Sequence, residues 1–152
     1  MMGSTLVLRR RTRFRHLPGR LAAGSFILNE GLEKLDADDD TTKRLHQAAS
    51  EAFPFVADMD PPEFARALGA GELALGTALV LPMVPSWLVG LGLTGFAGGL
   101  VRLYIHTPGA HYEDSVRPTR QGRSMAKDVW LLGIGLMLLV DRGSWSRRRR
   151  RR

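Results

Sequence analysis

The sequence predicts an all-α protein: a four-helix transmembrane bundle with an acidic outer loop that contains a short helix. Three observations carry this reading. Residues 67–101 form a run of thirty-five with a single charge, Glu72, interrupted near the middle by Pro82-Met83-Val84-Pro85-Ser86. As a helix such a run reaches roughly 50 Å at about 1.5 Å per residue, more than one bilayer crossing needs, so the prolines divide it into two spans. Charge is segregated: six arginines fall in residues 1–20 and seven in 142–152 of a chain whose net charge is +7. Arginines flanking a membrane bundle mark its cytoplasmic ends. Finally, residues 33–66 carry nine carboxylates against four basic groups, too polar a stretch to lie in lipid.

The first span is read over 17–35, with its apolar heart at Leu21 to Leu28. Arg20 and Lys34 stand at its two ends, roughly 21 Å apart on a helix, so each can reach an opposite interface. At 100° per residue Arg20, Gly24, Ile27, Gly31 and Lys34 share one face, expected to look into the bundle. The acidic loop follows. Asp40-Thr41-Thr42 supplies a helix start, and 43–53 can run as a short helix before Pro54 stops it. Asp60-Pro61-Pro62-Glu63 opens the second span, about 63–81, with prolines tolerated in a first turn. The third span runs over about 85–106. After a Pro/Gly-rich second outer loop, 107–123, the fourth covers about 126–140, with Trp130 and Trp145 as interface markers and Asp141-Arg142 as the stop. An even number of spans puts both ends in the cytoplasm. The chain is thus divided into a basic cytoplasmic segment, 1–16, a membrane domain, 17–142, and an arginine-rich cytoplasmic tail, 143–152.

Composition bounds the chemistry. There is no cysteine, which excludes disulfides, thiol chemistry and sulfur-ligated metals. The segment 1–15 lacks an uninterrupted apolar core followed by a cleavage site, so the first span is expected to act as its own insertion signal. The arginine-rich ends suit anionic lipid head groups, about 1 kcal/mol per residue near such a surface, rather than nucleic acid. No phosphate loop, dinucleotide fingerprint, nucleophile elbow or paired metal histidines occur. Asp36, Asp38 and Asp40 imitate the start of a calcium loop, but Thr41 and Gln47 stand where glycine and glutamate belong. No metal is expected.

A carboxylate in hydrocarbon is costly unless protonated, paired or facing water, which makes Glu72 the first candidate for function. It shares a face with Ala65, Gly69 and Gly76, while Gly95, Gly98, Gly99, Arg102 and His106 share a face of the next span. Small residues let membrane helices approach closely, so Gly69, Gly76, Gly95, Gly98 and Gly99 are expected to pack helices. By depth, Glu72, Arg102 and His106 are expected to form one polar cluster, with Lys34 close by and Arg20 at the inner end. Two roles stay open. The cluster is either a structural ion pair that fixes register, or a head-group or quinone-like pocket in which the carboxylate exchanges protons.

Arg20, Gly24 through Gly31 and Lys34 in the first span, Gly71-Glu72-Leu73-Ala74-Leu75-Gly76 in the second, and Lys127-Asp128 leading into Trp130-Leu131-Leu132-Gly133 together resemble the DoxX-like family of small bacterial four-span membrane proteins. His106-Thr107-Pro108-Gly109 with Arg117-Pro118-Thr119 is similar to the outer loop of one of its subgroups. The resemblance implies a four-helix membrane bundle in the bacterial inner membrane and, through some relatives, a link to thiol or sulfur oxidation feeding quinone or to oxidative-stress complexes. The absence of cysteine argues against a thiol-handling role for this chain. The expected function is an accessory or scaffold subunit of an envelope or redox-linked complex, with membrane or periplasmic proteins, or a second copy, as partners. The alternative is a quinone-linked redox component, quinone being the one cofactor envisaged.

Overall fold

The computed structural model describes residues 14–140; the arginine-rich tail, Trp145 and most of the basic N-terminal segment lie outside them. Among the described residues the secondary structure is helical, apart from an isolated antiparallel bridge between His111 and Pro118. The helices are α1 (Leu17–Leu35), α2 (Asp39–Ala52), α3 (Pro61–Val80), α4 (Ser86–His106), the single turn α5 (Arg123–Ala126) and α6 (Val129–Val140). Short 3-10 turns at Phe14–His16 and Pro54–Asp58 precede α1 and follow α2.

Local chemistry accounts for the boundaries. Pro18 and Pro61-Pro62 sit in first turns, where a missing N–H costs no helical hydrogen bond. Phe53 and Leu81 each precede a proline and are extended, which closes α2 and α3. The start of α2 differs from the expectation. Asp38, not Asp40, is the cap, and its side chain accepts a hydrogen bond from the Thr41 N–H at 2.9 Å. The extended backbone of Asp38 leaves its carboxylate free to turn back on the first turn, whereas Asp40 is already helical.

The helices pack chiefly as two antiparallel pairs, α1 with α3 and α4 with α6, and glycine makes both pairings close. A methyl group built on Gly24 would stand 3.0 Å from the Gly76 carbonyl oxygen, and one on Gly76 would stand 3.0 Å from that of Gly24. One turn-pair further along, Gly31 and Gly69 face each other in the same way. In the second pair, Gly90 meets the backbone of Gly135 and Leu139, and Gly135 meets Thr94. Gly95 and Gly98, expected at a helix contact, have no such neighbour within 4 Å, and Gly99 touches only the Phe53 ring edge. The face of α4 that closes on α6 is the one bearing Gly90, more than a third of a turn away from the stripe the sequence singled out, at 100° per residue.

A shared core joins the pairs: Ala23 and Ile27 from α1, Leu79 from α3, Val89, Leu93 and Ala97 from α4, and Leu131 and Leu138 from α6. The acidic helix α2 lies against α3 and α4. Among the described residues one helix, α4, is long and apolar enough to cross a membrane by length and composition. The other long helices fall short of that standard for visible reasons: α1 carries Arg20, Glu30, Glu33 and Lys34, α3 carries Glu63, Arg66 and Glu72, and α6 has twelve described residues.

Candidate functional site

Glycine at Gly31 and Gly69 brings α1 and α3 so close that the next side chains along, Lys34 and Glu72, must meet. The Lys34 ammonium lies 3.1 Å from Glu72 Oε1 and 3.1 Å from Glu30 Oε2, and also donates to the Glu30 carbonyl at 3.3 Å. Glu72 is 2% exposed, and its second carboxylate oxygen, Oε2, has no hydrogen-bond partner among the described residues. Asp128, just before α6, lies within electrostatic range of both Glu30 and Lys34. Three carboxylates therefore surround one lysine.

Arg20 is equally buried, at 1% exposure, yet is paired differently. Its Nε donates to the Leu79 carbonyl at 2.8 Å, Nη1 to the Val84 carbonyl at 2.9 Å and to Ser86 Oγ at 3.2 Å, and Nη2 to the Ala78 and Leu81 carbonyls at 2.9 and 2.7 Å. All five guanidinium donors are engaged. The cause lies in the α3–α4 turn. Pro82 and Pro85 have no N–H, so the carbonyls four residues earlier, Ala78 and Leu81, lose the donors that a continuing helix would supply. One Arg20 nitrogen takes both. A cation here also faces the negative end of the α3 dipole.

Arg102 and His106 belong to other networks. Arg102 Nε donates to the Ala52 carbonyl at the end of α2, at 2.8 Å, and its guanidinium lies 5.4 Å from the Phe53 ring centroid. His106 Nδ1 bonds the Arg102 carbonyl one turn back at 2.9 Å. The expected cluster is thus divided. Glu72 pairs with Lys34, Arg102 ties α2 to α4, and Arg20 closes the α3–α4 turn. Measured from the α3–α4 turn, Glu72 stands eight residues back along α3 and Arg102 sixteen residues along α4, so the two lie at different levels, and the end of α2 offers Arg102 the Ala52 carbonyl and an aromatic face. Glu30 was the member the sequence reading overlooked, and its spacing of four from Lys34 was the available signal. Asp128 carried no such signal, since its place depends on how the turn before α6 meets α1.

Chemically, most of these polar groups act on helix ends: Arg20 on α3, Arg102 on α2, His106 on the last turn of α4. Arg20, with all five donors engaged, has none left for a substrate, whereas Arg102 is held through its Nε and the Phe53 ring. Glu72 Oε2 is a buried acceptor without a hydrogen-bond partner among the described residues. Among the described residues no group of three or more His, Asp or Glu side chains is placed to hold a metal ion. No family model, curated protein or solved structure matches the chain.

Proposed function

We propose that this chain is an integral, multi-pass membrane protein in which α1, α3, α4 and α6 span the bilayer, with both termini cytoplasmic, and that it serves as a non-enzymatic accessory or scaffold subunit of a larger envelope or redox-linked complex. One observation carries the membrane reading: large apolar side chains crowd the outer faces of the helices as well as the core, while two charged side chains are buried. Arg20 and Glu72 lie inside with glycine and alanine, while Leu21, Phe26 and Leu32 of α1, Leu88, Leu91 and Ile105 of α4, and Trp130, Leu136 and Met137 of α6 are turned outward. In water so many exposed large apolar side chains would be a liability, whereas in lipid they match the solvent. The internal charges have partners, as intramembrane charges require.

The accessory reading is favoured over a quinone-linked one by the saturation of Arg20 and by the separation of Arg102 from Glu72. A carbonyl-polarising cluster needs a cation with donors to spare beside an exchangeable carboxylate. The DoxX-like resemblance, in Gly71 to Gly76 above all, adds support for the four-span arrangement and a bacterial inner-membrane location.

Since the chain has no cysteine, single cysteines introduced at Met83, Val116 and Phe55 report topology without background. In right-side-out vesicles an impermeant maleimide should label Phe55→Cys and Val116→Cys but not Met83→Cys. Labelling of all three in the absence of membrane extraction, or release of the protein by alkaline carbonate, overturns the multi-pass reading. Purification in mild detergent should then retain stoichiometric protein partners; recovery of bound quinone without them overturns the accessory role.

A further inference from the structure

We infer that Glu72 is a proton-binding site at the heart of the bundle, reached from the surface through Glu30 and Lys34. The three side chains form a graded path: Glu30 is 37% exposed, Lys34 16% and Glu72 2%, each linked to the next at 3.1 Å. Charge balance requires the proton. One ammonium serves two carboxylates in direct contact, with Asp128 a third nearby, so the fully ionised cluster holds excess negative charge beside a buried oxygen that nothing satisfies. A proton on Glu72 leaves Lys34 and Glu30 as a neutral pair.

Among the described residues, the other elements packed on α3 supply no substitute cation. On α4, Arg102 is engaged with Ala52 and Phe53; on α2, His46 bonds the Val56 carbonyl, Arg44 acts on Asp38, and Lys43 is exposed. Nor is Glu72 closed in the manner of a static strut. Arg20 shows how this chain completes a buried ion, with a partner for every donor, and the contrast at Glu72 Oε2 marks a group that changes protonation state.

The transfer balances without a co-reactant. Glu30 takes a proton from hydronium, leaving water; Lys34 gives one of its protons to Glu72 Oε1 and accepts that of Glu30. The net change is one proton moved inward, with the charge of Lys34 restored and nothing oxidised. Rotation of the carboxyl group returns a carbonyl oxygen to Lys34 and leaves the hydroxyl at the unpartnered position.

The test is infrared spectroscopy of the full-length protein in detergent micelles and in nanodiscs over a pH series. A protonated-carboxyl stretching band should grow as pH falls, shift in D2O, disappear in Glu72→Gln and move in Glu72→Asp. Glu30→Gln should keep the band but slow its exchange in D2O. Absence of the band down to the pH of unfolding, or a band unchanged in both Glu72 variants, overturns the site; wild-type exchange in Glu30→Gln overturns the path. Glu72→Asp retains an acid and serves where Glu72→Gln fails to fold. The site goes beyond the membrane reading, and because the band is read in micelles as well as bilayers, failure of one is distinguishable from failure of the other.

Discussion

Gly31 and Gly69 stand in reciprocal contact: a methyl group on either would lie 2.9 Å from the carbonyl oxygen of the other. Backbone, unlike the end of a flexible side chain, cannot give way without moving a helix. Gly31→Ala or Gly69→Ala should therefore separate α1 from α3 and cost about 1–3 kcal/mol, the usual range for overpacking. Gly95→Ala and Gly98→Ala, which meet no heavy atom within 4 Å, should cost nothing and gain up to about 1 kcal/mol from the better helix former. Thermal unfolding in mild detergent compares the four. Equal losses at Gly31 and Gly95 would refute the pairing of α1 with α3 through glycine.

Arg20 is predicted to tolerate no replacement, lysine included. A lysine ammonium has three donors in place of five, and its shape cannot serve the Ala78 and Leu81 carbonyls together as one Nη2 does. A buried carbonyl left without a partner, as that of Ala78 would be, costs about 1–3 kcal/mol, while that of Leu81 keeps the Val84 N–H at 3.3 Å. The damage should appear first in the α3–α4 turn, where Met83 is already exposed, as faster proteolysis between Leu81 and Ser86. Arg20→Lys with wild-type melting and an unaltered cleavage rate would show that the five hydrogen bonds contribute little.

What the sequence made legible, and what it did not, follows from the range of the forces involved. Proline and capping chemistry act within a turn, so α1, α3 and α4 lie within one or two residues of their expected limits. The face of α1 bearing Arg20, Gly24, Ile27 and Gly31 was readable because helical spacing is local as well. The partner of Glu72 was not. Counting from the α3–α4 turn sets Arg102 at a different level from Glu72, but whether Lys34 faces Glu72 depends on the rotation of α1 and α3 about their axes. The same uncertainty in rotation misdirected attention to Gly95 and Gly98 in place of Gly90. For Arg20, the missing N–H groups of Pro82 and Pro85 announced orphan carbonyls, and only the fold revealed which cation would reach them.

Asp38 should give α2 an acid-sensitive start. Hydrogen bonding from Thr41, by its side chain and its backbone N–H, holds the Asp38 carboxyl below its ordinary value of 3.8, with the nearby Arg44 acting in the same direction. A depressed carboxyl contributes stability that is fully present above its unfolded pKa and is lost as pH falls through the folded one. The contribution is thus complete at neutral pH and begins to fall away only as pH drops below about 3.8. Amide hydrogen exchange in the first turn of α2 should rise over that acid range in the wild type. Asp38→Ala should show the faster exchange already at pH 7, and Asp38→Asn, which keeps an acceptor, should restore protection with a flat acid response. Acid-dependent exchange persisting in Asp38→Ala would assign the effect to another carboxyl.

His111 is expected to respond in the opposite direction. Its Nε2 lies 3.0 Å from the Ile105 carbonyl and its Nδ1 lies 3.1 Å from the Tyr112 carbonyl, and two acceptors can be satisfied together only by the doubly protonated ring. These contacts, that to Ile105 foremost, raise its pKa above the ordinary 6.5. A raised histidine contributes stability that is fully present below its unfolded pKa and is lost as pH rises through the folded one. The 107–122 loop, also held by the Tyr104 hydroxyl on the Val116 carbonyl, should accordingly loosen from just above pH 6.5 upward. Histidine NMR titration should give His111 a pKa above the ordinary 6.5. His111→Gln, with one donor in place of two charged ones, should remove the pH dependence of loop proteolysis while leaving the Tyr104 hydrogen bond in place. A His111 pKa at or below the ordinary value would mean that one of the two carbonyls is bonded only through water.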